Sequence, residues 1–497
     1  MDINSTVLSV AVYLPFACAI VLAPIMGRSG RLACAVSVFG AGGSGAASVW
    51  LWIESWLGGG APGAFRFAFD GGAALPFLAL NGVSAPLLAL AGITGFAAAV
   101  WAASSEIERK GFYLFLLMIM QGGLMGAFAS VNVLCMYAFH EFALVPTFIA
   151  MCVWGGAGKR MAAMQMAVYL TLGALASLVG IVALKIQSGA TGFAIYEFSA
   201  ALARAHLDGE WQKYIFGMLL FGLGTLVSLF PFHSWAPRTY AAAPTSFAML
   251  HAGVLKKFGL YLLIQFAVPF VPMGAVDWSH LLAVLALFNV IYIGFVTMAQ
   301  DDLKLMVSYS SVSHMGMCFL GIATLSAAGV GGALLLMFGH GLSAALLFML
   351  SNAVVNKTGE WDMRKMGGMY RRTPILAAFF AAATFASIGL PGFANFFGEL
   401  SIFVALWKLS PWICAAAATG LIISAVYGLR AVARIFMGGE NPNMAAAGEE
   451  ISDLSAAQRL AAAALLAGLL FVGFCPASIT KGLDGWLSTI PVYNLNK

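Results

Sequence analysis

The stretch FAMLHAGVLKKFGLYLLIQFA, residues 247–267, is apolar enough to cross a bilayer, yet it carries two adjacent lysines, Lys256 and Lys257. A transmembrane helix needs about 20 consecutive apolar residues. An ionisable side chain at that depth costs about 2.5 kcal/mol or more and is by default a functional-site hypothesis. The stretch therefore predicts a membrane-spanning helix whose lysines serve chemistry inside the membrane.

Carboxylates are as rare as amines inside apolar stretches of this chain. Of the 20 Asp and Glu residues, Glu141 and Glu399 lie deep in such runs, VNVLCMYAFHEFALVPTFIAM (131–151) and GLPGFANFFGELSIFVALW (389–407). Amines and carboxylates spaced widely along a chain of many spans favour a charge-transfer route through the membrane. At mid-span, Glu141 is predicted either to share a proton with a lysine on a neighbouring helix or to lock two helices as a static pair.

The composition excludes a soluble fold and any nucleic-acid partner. The chain is 61% hydrophobic and 9% charged, whereas soluble domains carry about 25% charged residues. Its net charge of +5 comes from residues in short loops between spans. The seven cysteines are scattered without a C-x-x-C pair, whereas iron–sulfur and haem sites need clustered ligands. We therefore expect an all-α polytopic membrane protein with lipid contacts and without a redox cofactor or metal of its own.

Apolar runs of spanning length predict about fourteen transmembrane helices. With this count, 16 of the 25 Lys and Arg residues fall in loops on one side, 7 on the other and two inside a span. Such a bias marks the basic side as cytoplasmic. Both termini are therefore predicted to lie outside the cytoplasm.

Two spans are predicted to be interrupted helices. They are LVSLFPFHSWAPRTYAAAP (226–244) and ASIGLPGFANFFGEL (386–400). Proline removes a backbone donor, and such a break is tolerated in a bilayer where protein or a hydrated cavity satisfies the freed groups. Two breaks about five spans apart fit a transporter built from inverted repeats whose broken helices meet near the midplane. Glu399 lies in the second break, which would let water approach it.

Histidines supply further protonatable groups. His314 and His340 fall within consecutive spans between the lysines and Glu399, and a neutral imidazole can both accept and donate a proton. His233 lies beside the first break and is predicted to gate or line the route. A lone histidine in a membrane also serves as a structural hydrogen-bonding group, and for His251 the two roles are equally open.

Several motifs resemble the antiporter-like subunits of bacterial respiratory complex I, which are related to Mrp-type cation/proton antiporters. The resemblance covers nearly all of residues 80–440. The motifs are HEFALVP (140–146), AGVLKKFGLY (252–261), KLMVSYSSVSHMGM (304–317), FGHGLSAALLFML (338–350), DMRKMGGMY (362–370) and GLPGFANFFGE (389–399). The fifth and the last favour the subunit M branch over its L and N paralogues.

The resemblance implies a fourteen-helix fold with two inverted five-helix repeats. Residues 1–110 would hold helices 1–3, residues 111–270 and 271–440 the two repeats, and residues 441–497 helix 14 and the tail. It also implies proton transport driven by quinone reduction elsewhere in a complex that includes L and N paralogues. NADH, FMN, iron–sulfur clusters and quinone would then belong to partner subunits.

Residue by residue, the resemblance assigns the proton path to Glu141, Lys257, His314, His340 and Glu399. The family usually has a lysine partner for the first glutamate where this chain has Leu226. We hypothesise that Lys256, which is additional to the family's single central lysine, takes over as partner of Glu141.

Other functions remain open on these residues. An Mrp-like cation/proton antiporter would use the same path without electron transfer, and membrane-bound hydrogenases and bicarbonate-uptake complexes reuse the module. A membrane scaffold whose buried charges only fix packing is the alternative without transport.

Overall fold

The computed structural model describes residues 3–27, 30–58, 66–69, 77–204, 207–439 and 452–494. The first and last residues of the chain, whose side of the membrane the sequence predicts, lie outside these ranges. So does the segment 440–451, with which the predicted C-terminal part begins.

Helices dominate the described structure. In chain order they are α1 (Ile3–Leu22), α2 (Gly30–Leu57), α3 (Ser84–Ser104), α4 (Lys110–Ala129), α5 (Val133–Trp154), α6 (Lys159–Ser188), α7 (Ile195–Leu202), α8 (Gly209–Val227), α9 (Trp235–Ala242), α10 (Thr245–Leu250), α11 (Lys257–Leu262), α12 (Val268–Phe270), α13 (Pro272–Val290), α14 (Tyr292–Met298), α15 (Leu303–Ala323), α16 (Ala327–Thr358), α17 (Pro374–Ser387), α18 (Ala394–Leu409), α19 (Pro411–Phe436), α20 (Ala456–Phe474) and α21 (Ala477–Leu487).

The predicted all-helical polytopic fold is confirmed. Among the described residues, twelve helical segments are long and apolar enough to cross a membrane. Counting α8, and the pair α17 and α18 as one interrupted crossing, gives the fourteen expected from the sequence. The division into four parts at 110, 270 and 440 stays a prediction. A short antiparallel pair, β1 (Arg66–Phe69) and β2 (Leu78–Leu80), was not expected.

The first predicted break separates α8 from α9. The chain leaves α8 at Ser228, whose φ is 70°, and re-enters a helix at Trp235. The buried side chain of Asn289 fills this gap: its amide nitrogen donates to the carbonyls of Ser228 (3.0 Å) and Val312 (3.2 Å). Its oxygen accepts from the amide of Phe230 at 2.6 Å. A side chain from α13 thus satisfies backbone groups that lipid could not.

The second break separates α17 from α18. Gly389 and Gly392 adopt φ values of 74° and 98°, a region that side chains rarely enter. The carbonyl of Ser387, at the end of α17, accepts a hydrogen bond from His314 at 2.8 Å. His314, which the sequence selects as a functional candidate, therefore also contacts a free backbone carbonyl of the broken helix.

The crossing with both lysines is not a regular α-helix. It spans Thr245–Phe270 and contains two π-helical turns, His251–Leu255 and Leu263–Ala267. In this crossing and in α16, all residues of the most apolar 18-residue stretch are buried inside the chain. The centre of the molecule is thus built from the two crossings that hold the lysines and His340.

Candidate functional site

Both lysines lie inside the protein, directly after a π-helical turn. Residues 251–255 form the turn, and the amide of Lys256 donates to the carbonyl of His251, five residues earlier. Adjacent side chains on a helix point about 100° apart, so the two lysines face different neighbours. In the structure neither lysine is exposed: Lys256 is 2% exposed and Lys257 0%.

Lys257 contacts His340 directly. Its Nζ lies 2.9 Å from Nδ1 of His340 and donates to the carbonyl of Ala252 at 2.7 Å. The imidazole and the amine therefore share a hydrogen bond across α11 and α16, within the enclosed centre. This is the direct contact that proton exchange between two side chains requires.

Lys256 takes a different direction and does not meet Glu141. Its Nζ donates to the carbonyl of Ser311 at 3.2 Å and lies 5.3 Å from the centre of the Tyr240 ring. Among the described residues there is no ion pair between Lys256 and Glu141. The hypothesis that Lys256 replaces the lysine absent at Leu226 as partner of Glu141 is therefore not supported by a direct contact and stays a prediction. Lys256 is held by a carbonyl and an aromatic face instead.

His314 continues the row from His340. The centres of the two rings are 5.4 Å apart. Its two ring nitrogens lie 2.8 Å from carbonyl oxygens, Nδ1 from that of Ser310 and Nε2 from that of Ser387. A neutral imidazole carries one N–H donor and an imidazolium carries two. Both contacts can be hydrogen bonds at once only when the ring carries a proton on each nitrogen.

Glu399 lies buried beyond His314. It is 5% exposed, and its carboxylate packs so closely on the second break that a Cβ built on Gly389 would meet Oε2 at 2.1 Å. Ser310, which borders His314, hydrogen-bonds with the hydroxyl of Tyr427 at 2.9 Å. No hydrogen bond joins His314 to Glu399 in the described structure. The route to this carboxylate therefore needs a bridging water, which serves nearly as well as a direct hydrogen bond.

Glu141 differs most from expectation, because it faces outward. Its side chain is 50% exposed and its Oε1 lies 3.7 Å from Nδ1 of His140. Its neighbours on the same face of α5, Phe142 and Val145, are also about half exposed. The prediction of a mid-span carboxylate paired with a lysine inside this chain is therefore not met. Glu141 lies at the outer edge of the chain.

His233 lies in the first break, as predicted. Its ring stacks on Phe230 with 5.6 Å between ring centres, and Tyr292 is 6.5 Å away. No hydrogen bond or ring contact joins it to the lysines, His314 or His340 in the described structure, so a gating role stays a prediction.

Sequence reasoning missed several polar residues of this region. They are Asn289, Ser310, Ser311, Tyr240 and Tyr427. Asn289 was visible as an amide inside an apolar span, LFNVIY, and Ser310 and Ser311 belong to the serine-rich stretch SYSSVSH. The two tyrosines gave no signal, because aromatic residues are common throughout the chain and most occupy apolar surroundings.

Buried amines, imidazoles and a carboxylate that follow one another across interrupted helices define an antiporter-like membrane protein. A family model described as NADH:quinone oxidoreductase/Mrp antiporter, transmembrane, matches residues 130–424. The chain belongs to this family.

Relatives extend the similarity over most of the chain. It is 33% identical over 397 residues to NAD(P)H-quinone oxidoreductase chain 4 of Gloeobacter violaceus, covering 78% of this chain and 74% of that protein. It is 32% identical over 400 residues to NADH-quinone oxidoreductase subunit M of Pseudomonas aeruginosa, covering 79% and 78%.

Solved structures share the complete fold. A chain of respiratory complex I from Thermus thermophilus with bound NADH superposes with a TM-score of 0.86 at 28% identity, covering 98% of this chain and 99% of that one. A chain of the Mrp complex from Dietzia sp. superposes with a TM-score of 0.83 at 18% identity, covering 99% of each. The second similarity concerns the fold alone.

Proposed function

We propose that this chain is a proton-translocating membrane subunit of a complex I-type NADH:quinone oxidoreductase, in the position of subunit M. The observation that carries the proposal is the hydrogen bond from Lys257 to His340, continued by His314, inside the enclosed centre of the chain. A row of groups that hold and release protons suits transport better than static packing, which needs one satisfied pair.

In the proposed mechanism the proton moves along this row. An ammonium at Lys257 gives a proton to Nδ1 of His340, and the proton then passes to His314. The two carbonyls around His314 hold the imidazolium. Release through water to Glu399 completes the path. Quinone reduction in other subunits would drive these transfers by changing the electrostatic balance at the ends of the row.

We propose that water approaches this row from a cavity at one end of the helices, although no residue of the row lines that cavity. A cavity of ≈ 740 Å³ lies among residues that include Glu106, Glu108, Lys304, Asn352 and Asn356. These residues belong to the side with the larger number of basic residues. We therefore assign the cavity to the cytoplasmic side and proton uptake to it.

The chain is further proposed to lie in a bacterial inner membrane with both ends on the periplasmic side. Fusing a periplasm-dependent reporter such as alkaline phosphatase to the C-terminus tests this: an active fusion supports it. An inactive phosphatase with a fluorescent cytoplasmic fusion contradicts it.

Its partners are proposed to be antiporter-like L and N paralogues. Glu141 with Phe142 and Val145 forms an outward face that mixes a carboxylate with apolar groups. Lipid does not solvate a carboxylate, so a protein neighbour is the better cover. NADH, FMN, iron–sulfur clusters and quinone are assigned to other subunits, and no cofactor to this one.

The test replaces Lys257 by Met in the assembled complex. Inside-out vesicles then report NADH oxidation and, by quenching of an acridine dye, the proton gradient. Lys257→Met should abolish or strongly reduce the gradient per NADH oxidised. The matched control is Lys408→Met, because Lys408 is exposed at the end of α18.

Two results would overturn the proposal. Full pumping by Lys257→Met would remove the row from the transport path. Sodium-dependent proton exchange without any electron donor would show a stand-alone antiporter.

A further inference from the structure

His140 is a buried imidazole that the path described above does not use. It is 2% exposed, and its Nδ1 has no hydrogen-bond partner among the described residues. A buried polar atom without a partner costs about 1–3 kcal/mol, and most buried polar atoms in folded proteins are paired. The exception needs an explanation.

The unpartnered nitrogen points to a carboxylate. Nδ1 of His140 lies 3.7 Å from Oε1 of Glu141, which is the one ion-pair contact of Glu141 in the described structure. This distance is too long for a hydrogen bond, but a change of the Glu141 rotamer would close it. The imidazole is buried while the carboxylate is half exposed, so the pair joins the outer face of α5 to the interior.

On its inner side, His140 contacts the crossing that carries the two lysines. Its ring stacks on Phe258, next in sequence to Lys257, with 4.6 Å between ring centres. His251 lies on the π-helical turn, which packs against α5, and its Nδ1 also has no partner among the described residues. The ring of His251 lies 5.3 Å from that of Tyr240, over which the Lys256 ammonium sits. Two imidazoles with unsatisfied nitrogens therefore lie on neighbouring elements, His140 beside Glu141 and His251 beside Lys256.

We propose that His140 is a catalytic proton carrier that connects Glu141, at the edge of this subunit, to His251 and the buried lysines. This inference rests on the proposed proton-translocating function and adds an entry point to its path. A ring held by stacking on Phe258 keeps its nitrogens in place while its protonation changes. The connection replaces the direct pairing of Glu141 with a lysine.

The transfer balances as follows. The carboxyl O–H of Glu141 breaks and an N–H forms at Nδ1 of His140, which leaves a carboxylate beside an imidazolium. The imidazolium then loses its Nε2 proton toward His251 through a bridging water, which leaves a neutral ring with its proton on Nδ1. That proton passes to Nε2 through water before Nδ1 accepts the next one from Glu141. Glu141 regains a proton from the neighbouring subunit that covers it.

The experiment compares His140→Phe with His140→Ala in the complete complex. Phenylalanine keeps an aromatic ring that can stack on Phe258 but cannot bind or release a proton. If His140 only packs, His140→Phe should therefore pump normally. We expect His140→Phe to reduce the gradient per NADH oxidised to the level of Glu141→Gln. The double variant should be no worse than Glu141→Gln alone, because both changes interrupt one transfer. His280→Phe, at an exposed histidine, is the control and should pump normally.

Chemical rescue supplies a readout that packing does not affect. His140→Ala leaves a cavity of imidazole size, so added imidazole should restore part of its pumping and should not restore that of His140→Phe. If His140→Phe does not assemble, His140→Asn takes its place, because the amide of asparagine neither gains nor loses a proton in the working pH range.

Three outcomes overturn the inference. They are normal pumping by His140→Phe, losses that add in the double variant, and failure of imidazole to restore His140→Ala. Lys257→Met, measured in parallel, separates these outcomes from failure of the proposed function. If Lys257→Met stops pumping while His140→Phe does not, the transport function stands and His140 has no part in it.

Discussion

Replacing Gly389 by alanine should uncouple the protein by moving one carboxylate. A Cβ at this position would lie 2.1 Å from Oε2 of Glu399. Carbon and oxygen in ordinary contact are about 3.4 Å apart or more, so the carboxylate must move by more than about 1 Å. A displacement of that size at a reacting group costs on the order of 100-fold in rate.

Backbone strain adds a separate, smaller effect. Gly389 has a φ of 74°, and a side chain in this region costs about 1–2 kcal/mol. The strain lowers stability but does not by itself stop proton transfer. A control must therefore carry the strain without the displacement.

Gly392→Ala provides that control. Gly392 has a φ of 98°, and the atom nearest to its added Cβ is Cζ of Phe474 at 3.8 Å. Both variants should lose thermal stability to a similar extent. Only Gly389→Ala should lose pumping, measured as the initial rate of gradient formation per assembled complex in inside-out vesicles. Equal pumping by the two variants would refute the assignment of Glu399 to the path.

Three other changes have defined consequences. Asn289→Leu removes the partner of two backbone groups of the first break, the Ser228 carbonyl and the Phe230 amide, at about 1–3 kcal/mol each, and should lower the yield of assembled complex and its melting temperature. Tyr427→Phe removes the hydrogen bond with Ser310, worth about 1 kcal/mol, and should slow pumping while the melting temperature changes little. In the loop before α17, the hydrogen bond from Arg364 lowers the pKa of Asp362 from its ordinary value of 3.8 to about 2. Stabilisation by this carboxylate is therefore complete above about pH 3.8 and is lost as the pH falls toward 2, so proteolysis of the loop should be equal at pH 8 and pH 5.

Each of these predictions has a contrary result. Asn395→Leu is the control for Asn289→Leu, because the buried amide of Asn395 has no hydrogen-bond partner among the described residues, and its loss should cost less. Equal destabilisation by the two would contradict the role of Asn289. Wild-type pumping by Tyr427→Phe would place that hydroxyl outside the path. Faster cleavage of the loop at pH 5 than at pH 8 would show that another group controls it.

Apolar run length and Pro/Gly placement predicted the helical architecture because they act locally. Each crossing is specified by its own residues, and the breaks at Pro231 and Gly389 follow from backbone chemistry at those positions. The sequence also selected Lys257, His314, His340 and Glu399, because ionisable groups stand out inside apolar runs. The structure shows all four buried.

The direction in which a functional side chain points was harder to predict than its position along the chain. The outward face of Glu141 depends on how α5 packs in the whole fold, and α5 is apolar on every side. Both lysines are buried because other helices surround their crossing on every side, and this long-range packing is not specified by the residues of the crossing itself. The sequence did not select His140 as a functional residue, because its unsatisfied nitrogen is visible only in the three-dimensional structure.

The π-helical turn at His251–Leu255 limits how the central crossing can move. Protein surrounds this crossing on all sides, so tilting it as a rigid rod would disturb every neighbour. A change of the backbone hydrogen bonds in this turn, from the five-residue spacing of a π-helix to the four-residue spacing of an α-helix, would instead rotate Lys257 about the helix axis. The rest of the crossing would stay in place. Alternating access at this lysine would then take the form of a local change in winding, on the scale of a single turn.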